Sequence, residues 1–384
     1  MQEVKKLWDE VRELSLGSNS TIERLESPPT PLQFLRDYVS QNKPCIIKNV
    51  SLHHQWPAFS LWPHPSYLSK TLSSSPPVSV HLSPNGRADS LVTLTHPRSG
   101  EISQCFASAH VERLPFDEAL QLVSNSKNGD VVAYLQQQND CFRDEYSVLG
   151  SDCDEHIAWA TEALGCYPEA VNLWIGNQLS ETSFHKDHYE NLYTVVSGQK
   201  HFLLLPPTDV HRMYIRQYPA AHYSYSRVND VERFTLELEE PVRYVPWCSV
   251  NPYPSPETRE SEMAKFPLYF NGPKPFECTV NAGEILYLLI WFRKAVRNSE
   301  VNVVELMQAK HVVSSRYDMQ FDIKYAYFNF LQSLHFKAPC DPTLLEIDYE
   351  DSRPNASICN SREKLFADAS SLNELETTKD SEDA

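Results

Sequence analysis

The middle of the chain is a succession of short apolar runs, each ended by a turn, and this constrains the fold more than any other feature. Residues 171–175, 192–196, 200–205, 279–280 and 285–291 are rich in Val, Leu, Ile, Tyr and Phe, which suit a pleated, half-buried surface. Ser197-Gly198 separates the second run from the third, and Pro206-Pro207 halts the third. Asn281-Ala282-Gly283-Glu284 separates the last two. Glycine between strand-like runs is a hairpin signal, so 192–205 and 279–291 are each expected to be a hairpin. Many short strands with regular turns imply a barrel or sandwich. The expected class is therefore mainly β with flanking helices.

The flanks are simpler. Val4, Leu7, Val11 and Leu14 recur at helical spacing, predicting a helix over 2–16. Pro28-Pro29-Thr30-Pro31 is an extended lead-in to a short helix around Phe34 and Tyr38, and 45–50 reads as a strand. Two strands are expected in 78–95 around Pro84-Asn85-Gly86, a helix over 116–123 and a strand over 131–136. Residues 208–275 read as a long insertion rich in Tyr and Pro, and 323–335 as an amphipathic helix that covers the core or completes a homodimer. From Asp348 the chain is acidic, Ser-rich and poor in large apolar residues, the composition of a disordered tail. The expected organisation is a helix and linker over 1–27, one domain over 28–340 and a tail over 341–384.

Composition narrows the function classes. A net charge of -17 argues against a broad nucleic-acid surface and fits a solvated acidic one. No apolar run reaches the roughly 18 residues of a membrane span, and Met1-Gln2-Glu3-Val4-Lys5-Lys6 has no signal-peptide core. Nine cysteines, an odd number without a Cys-x-x-Cys pair, suggest free thiols in a reducing compartment. The cytoplasm or nucleus is expected.

The chemistry centres on His185-Lys186-Asp187. A His and an Asp two residues apart share one face of an extended strand. An imidazole and a carboxylate are two of the three ligands of a non-haem Fe(II) facial triad, whose third is a His. The bland alternative is a structural hydrogen-bonded pair. Lys200 stands 13 residues after Asp187, and a lysine inside a barrel is costly unless it meets an anion. The distal carboxylate of 2-oxoglutarate is such an anion. Thr182 and Asn191 flank the pair and could bind the same ligand, and Tyr134 could supply a phenol from another strand. His201 should face away from Lys200, and His188 off the metal face. Trp174, Trp247 and Trp291 read as core.

Thr182-x-x-His185-x-Asp187-x-x-x-Asn191, Lys200 within Gly198-Gln199-Lys200-His201-Phe202, and Ala282-Gly283-Glu284-Ile285-Leu286-Tyr287 together resemble the Jumonji-C oxygenase family. The runs from His185 to Tyr193, from Val245 to Trp247 and from Tyr317 to Tyr325 resemble its (3S)-lysyl hydroxylase branch. The resemblance covers roughly 28–292 and 316–336. It implies a double-stranded β-helix, a cupin-like jelly roll, with Fe(II) and 2-oxoglutarate as cofactors. His185 and Asp187 become metal ligands and catalytic residues. Lys200, Thr182 and Tyr134 become the 2-oxoglutarate pocket, lined also by Asn191 and Tyr193. The substrate it implies is a lysine on a protein, in the nearest branch a developmentally regulated GTP-binding protein.

The pattern breaks once. In the family the strand after Ala-Gly-Glu continues to Leu-Pro and then Trp-Phe-His-His-Val, and the first His is the third iron ligand. Here the chain reads Trp291-Phe292-Arg293-Lys294-Ala295-Val296. Neither an arginine nor a protonated lysine has a lone pair for a metal. Residues 295–315 are foreign to the family, a sharp-edged mosaic of the kind an alternative splice product or faulty gene model leaves, and the distal strand region is expected to be disrupted. His311 is the one His there and the candidate substitute ligand, against the plainer reading of a loop His. The functional expectation is a 2-oxoglutarate-dependent protein hydroxylase with strongly reduced activity in this chain. The alternatives are a catalytically dead protein-binding module and, more weakly, a histone demethylase or peptidase.

Overall fold

The structure is a computed structural model. It describes residues 21–49, 55–95, 100, 102–126, 131–187, 189–228, 231–289, 292–298 and 310–318, with helical residues at 6, 9, 10, 12, 13, 326, 327 and 330. All lie in one compact unit, Met1–His335. His188, most of the predicted 2–16 and 323–335 helices and the predicted tail fall outside the described residues.

Two sheets face each other. The first runs, in spatial order, Glu23–Leu25, Cys45–Lys48, Glu284–Leu288, Tyr189–Val195, Lys310–Asp318 and Ala170–Gly176. The second runs Phe276–Asn281, Gln199–Leu205, Arg293–Asn298, Glu181–Lys186 and Arg87–Ala88. Tyr193, Phe202, Leu204, Val280, Leu286 and Val296 meet in the core. This is the jelly-roll arrangement expected from the sequence.

The pairing departs from expectation where the turns seemed clearest. Tyr189–Val195 does not pair with Gln199–Leu205. It lies between Glu284–Leu288 and Lys310–Asp318. Gln199–Leu205 pairs instead with Phe276–Asn281 and Arg293–Asn298. Both predicted hairpins are thus corners at which the chain crosses from one sheet to the other. Gly198 and Gly283 turn these corners at φ 76° and 86°, a region that favours glycine. The turn residues encode reversal, whereas distant strands decide the pairing. The 78–95 region behaves likewise: Val78–Ser83 pairs with His110–Leu114 and Val132–Tyr134, and Arg87–Ala88 lies beside Glu181-Thr182.

Local signals held elsewhere. Thr30 caps Pro31–Phe34 in a capping box with Gln33 and buries Phe34, and Phe116–Asn125 forms the expected helix. The 208–275 insertion carries its own strands, Ile215–Val228, Val231–Leu238 and Tyr244–Cys248. Its Met213, Cys248, Val250 and Tyr269 cover Phe184, Leu203, Leu205 and Ala295 on the outer face of the second sheet. The stretch expected to be disrupted overlaps two strands, each paired on both sides: Arg293–Asn298 in the second sheet and Lys310–Asp318 in the first. Residues 299–309 lie outside the described residues.

Candidate active site

His185 is the next-to-last residue of the Glu181–Lys186 strand and Asp187 just follows the strand. The spacing of Thr182 and His185 is odd, which on a regular strand would put them on opposite faces. The ladder slips between them: Thr182 lies opposite Val296 and His185 opposite Lys294. That extra residue returns both side chains to one face. Phe184 goes to the outer cluster.

The imidazole is fixed from behind. Its Nδ1 lies 2.8 Å from the Ser183 carbonyl oxygen, so Nδ1–H donates and Nε2 keeps its lone pair. Nε2 is 3.7 Å from Asp187 Oδ1. The two side chains are 23% and 13% exposed, so the pair remains open to a ligand. Burial, reinforced by the Lys294 charge, pushes the His185 pKa down to about 4, which keeps the ring neutral.

The place beside His185 and Asp187 where a third ligand would stand holds an ammonium. Lys294 Nζ donates to Asp187 Oδ2 and to the Tyr193 hydroxyl, and Tyr193 Oη donates to the same Oδ2 at 2.9 Å. Burial alone would raise the Asp187 pKa, but Lys294, with His185 and Arg316, holds it well below the usual carboxylate range. Burial pulls Lys294 below the usual lysine range, and Asp187 offsets part of this. The sequence pointed to residue 293 as the ligand place, whereas residue 294 faces His185. Arg293 pairs with Lys186 and Leu205 and is of opposite parity. His311 lies opposite Ile175. It is five positions from Arg316, and of the other parity. On a strand that is about 17 Å from Arg316, and the His311 side chain lies outside the described residues.

A second buried lysine sits deeper. Lys200 is 3% exposed. Its Nζ donates to Tyr134 Oη at 3.4 Å and lies 4.5 Å from the Trp174 ring centre. No carboxylate lies within ion-pair distance of it among the described residues. Burial, with the Lys294 charge nearby, pushes its pKa down to about 7. The Thr182 hydroxyl, the Trp174 indole N–H and Asn191 Oδ1 are buried with no hydrogen-bond partner among the described residues. Asn191 Nδ2 donates to the Tyr189 carbonyl. His201 faces outward to Thr279 and Glu277, as expected. Two participants were not legible in advance. Trp174 is core, as read, but it also packs on Lys200, and Arg316 stands 5.9 Å from the Trp174 ring centre. The sole sequence signal for either was strand parity.

Residues 31–322 match the model of the cupin-like domain. The chain is 58% identical over 91% of its length to lysine-specific demethylase JMJ32 of Arabidopsis thaliana, covering 97% of that protein. It is 38% identical over 81% of its length to the human bifunctional peptidase and (3S)-lysyl hydroxylase JMJD7, covering 88% of it. A third relative, JmjC domain-containing protein E of Dictyostelium discoideum, is 34% identical over the same shares. The chain belongs to the JmjC family of cupin-like proteins. Members of this family are in general Fe(II)- and 2-oxoglutarate-dependent oxygenases. Lys200, with the Tyr134 hydroxyl and the unmatched Trp174 indole N–H, fits the carboxylate end of such a co-substrate. The metal position does not fit: His185 and Asp187 would supply only two ligands, an ammonium faces them, and no cluster of three His, Cys, Asp or Glu exists among the described residues. Ammonium donates and cannot ligate.

Proposed function

We propose that this chain descends from a protein-lysyl hydroxylase dependent on Fe(II) and 2-oxoglutarate. We propose further that it keeps the dicarboxylate pocket and the substrate face but turns over at a strongly reduced rate. The observation that carries the first part is Lys200, buried beside Tyr134 and the Trp174 ring with no carboxylate in ion-pair distance among the described residues. A buried cation with idle donors around it calls for an anion. In this reading His185 and Asp187 are what remains of the metal site, Asn191 and Tyr193 line the pocket, and the substrate is a lysine on a GTP-binding protein. JMJD7 is named a (3S)-lysyl hydroxylase and peptidase and JMJ32 a lysine-specific demethylase, so the peptidase and demethylase activities are the neighbouring hypotheses on the same site.

A second reading has its own support. The Lys294–Asp187 ion pair favours a catalytically inert module that binds the protein partner without oxidising it.

The test is 2-oxoglutarate binding by calorimetry together with iron content and succinate release on lysine-bearing peptides. Binding that Lys200→Met abolishes, with weak or absent succinate release, is expected. Failure to bind 2-oxoglutarate would refute the pocket. Stoichiometric iron with coupled succinate release would refute the inert module.

A further inference from the structure

A metal site is built from acceptors. Emptied, it leaves carboxylates and lone pairs facing one another, and the ion's binding energy becomes folding energy. The site around Asp187 is not in that state. Lys294 is 4% exposed at its side chain and belongs to a strand paired on both edges, with His185 on one side and Leu204 on the other. Directly opposed residues on antiparallel strands share a face, with Cβ atoms about 5 Å apart. The ammonium is therefore delivered to the His185–Asp187 side of the sheet by backbone register, and not by a chance rotamer. There it donates to Asp187 Oδ2 and to Tyr193 Oη and lies 4.6 Å from the Tyr193 ring centre. Tyr193 donates to the same Oδ2. A carboxylate, a phenol and an ammonium close a triangle of mutual hydrogen bonds. The lone pair of His185 Nε2 stands beside it.

We propose that Lys294 has taken the place of the divalent cation: it neutralises Asp187, fixes Tyr193 and makes the site refuse metal. The proposal rests on the reading of His185 and Asp187 as former iron ligands. A metal ion entering here meets one imidazole, a carboxylate already engaged by a positive charge, and the repulsion of that charge at close range. The same ammonium makes Asp187 indispensable to the metal-free fold. In an empty metal site, converting a carboxylate ligand to an amide relieves repulsion. Here it leaves a buried ammonium without its partner.

The probe is Co(II), followed by its visible absorption and by thermal unfolding, on the whole chain. The wild-type chain should bind no stoichiometric Co(II), and its Tm should be unmoved by the ion. Lys294→His, which restores an imidazole opposite His185, should gain Co(II) binding by at least about tenfold, one pKd unit or 1.4 kcal/mol. Without metal, Asp187→Asn should lower Tm by roughly 10 °C. Asp187→Asn combined with Lys294→Met should recover much of that loss. Stoichiometric Co(II) on the wild-type chain, or an unchanged Tm in Asp187→Asn, would overturn the proposal. A folded Lys294→His that still ignores Co(II) would also overturn it. If Lys294→His does not fold, the wild-type titration and the Asp187→Asn measurement still decide. Neither depends on 2-oxoglutarate, so the pocket reading can fail while this one stands, and the reverse.

Discussion

Two lysines enter the same barrel interior and meet opposite circumstances. Lys294 reaches Asp187 and Tyr193 and is matched. Lys200 reaches a phenol at 3.4 Å and an indole face, and is not matched by any carboxylate within ion-pair distance among the described residues. A matched buried charge is part of the fold, and removing its partner is expensive. An unmatched one costs stability and is tolerated where a ligand supplies the missing charge. On the proposed reading, the contrast separates a structural half of the site from a half shaped for binding.

That contrast can be broken by substitution. The largest effect should come from Asp187→Asn, which strands the Lys294 ammonium and should cost about 3–5 kcal/mol, measured by chemical denaturation. An unchanged stability would mean that the ion pair is idle. Lys294→Met should cost less, about 1–3 kcal/mol, because Asp187 keeps the Tyr193 hydroxyl and some access to solvent. Lys200→Met should go the other way and be neutral or stabilising by about 1 kcal/mol, while 2-oxoglutarate binding disappears. If it destabilises by as much as Asp187→Asn, the two lysines do not differ.

The Lys200 contrast should also depend on pH. Its folded pKa is depressed to about 7 from 10.5. Between those values the unfolded chain holds a proton that the folded chain has released, so stability rises with pH across that window. Wild type should therefore gain on Lys200→Met from pH 7 to 10 in paired denaturation curves. A constant difference would show that Lys200 stays charged in the ligand-free fold. The smallest effect is that of Tyr134→Phe, about 0.5 kcal/mol on stability for one long hydrogen bond, accompanied by a several-fold loss of 2-oxoglutarate affinity in calorimetry.

Much of this was written locally. Residue spacing sufficed for Pro31–Phe34, for Phe116–Asn125 and for the outward turn of His201, because caps, helical period and strand alternation act over a few residues. The same alternation placed Lys200 inside. It misjudged 192–205 and 279–291 as hairpins, because Gly198 and Gly283 specify a reversal and say nothing of the partner strand. It placed the lost ligand at 293, although the register brings 294 to His185. It also missed the bulge that sets Thr182 and His185 on one face, since a bulge is a property of the pair of strands.

The sequence by itself determined the family and the inventory: a β-rich jelly roll, His185 and Asp187 together, Lys200 buried, and no imidazole at 293 or 294. These follow from residue identity and short-range periodicity. Only the tertiary structure decided what fills the gap. Lys294 became the counter-ion of Asp187 because Arg293–Asn298 lies between two strands in a register fixed by both, and charge pairing inside a protein depends on distances that no linear spacing contains.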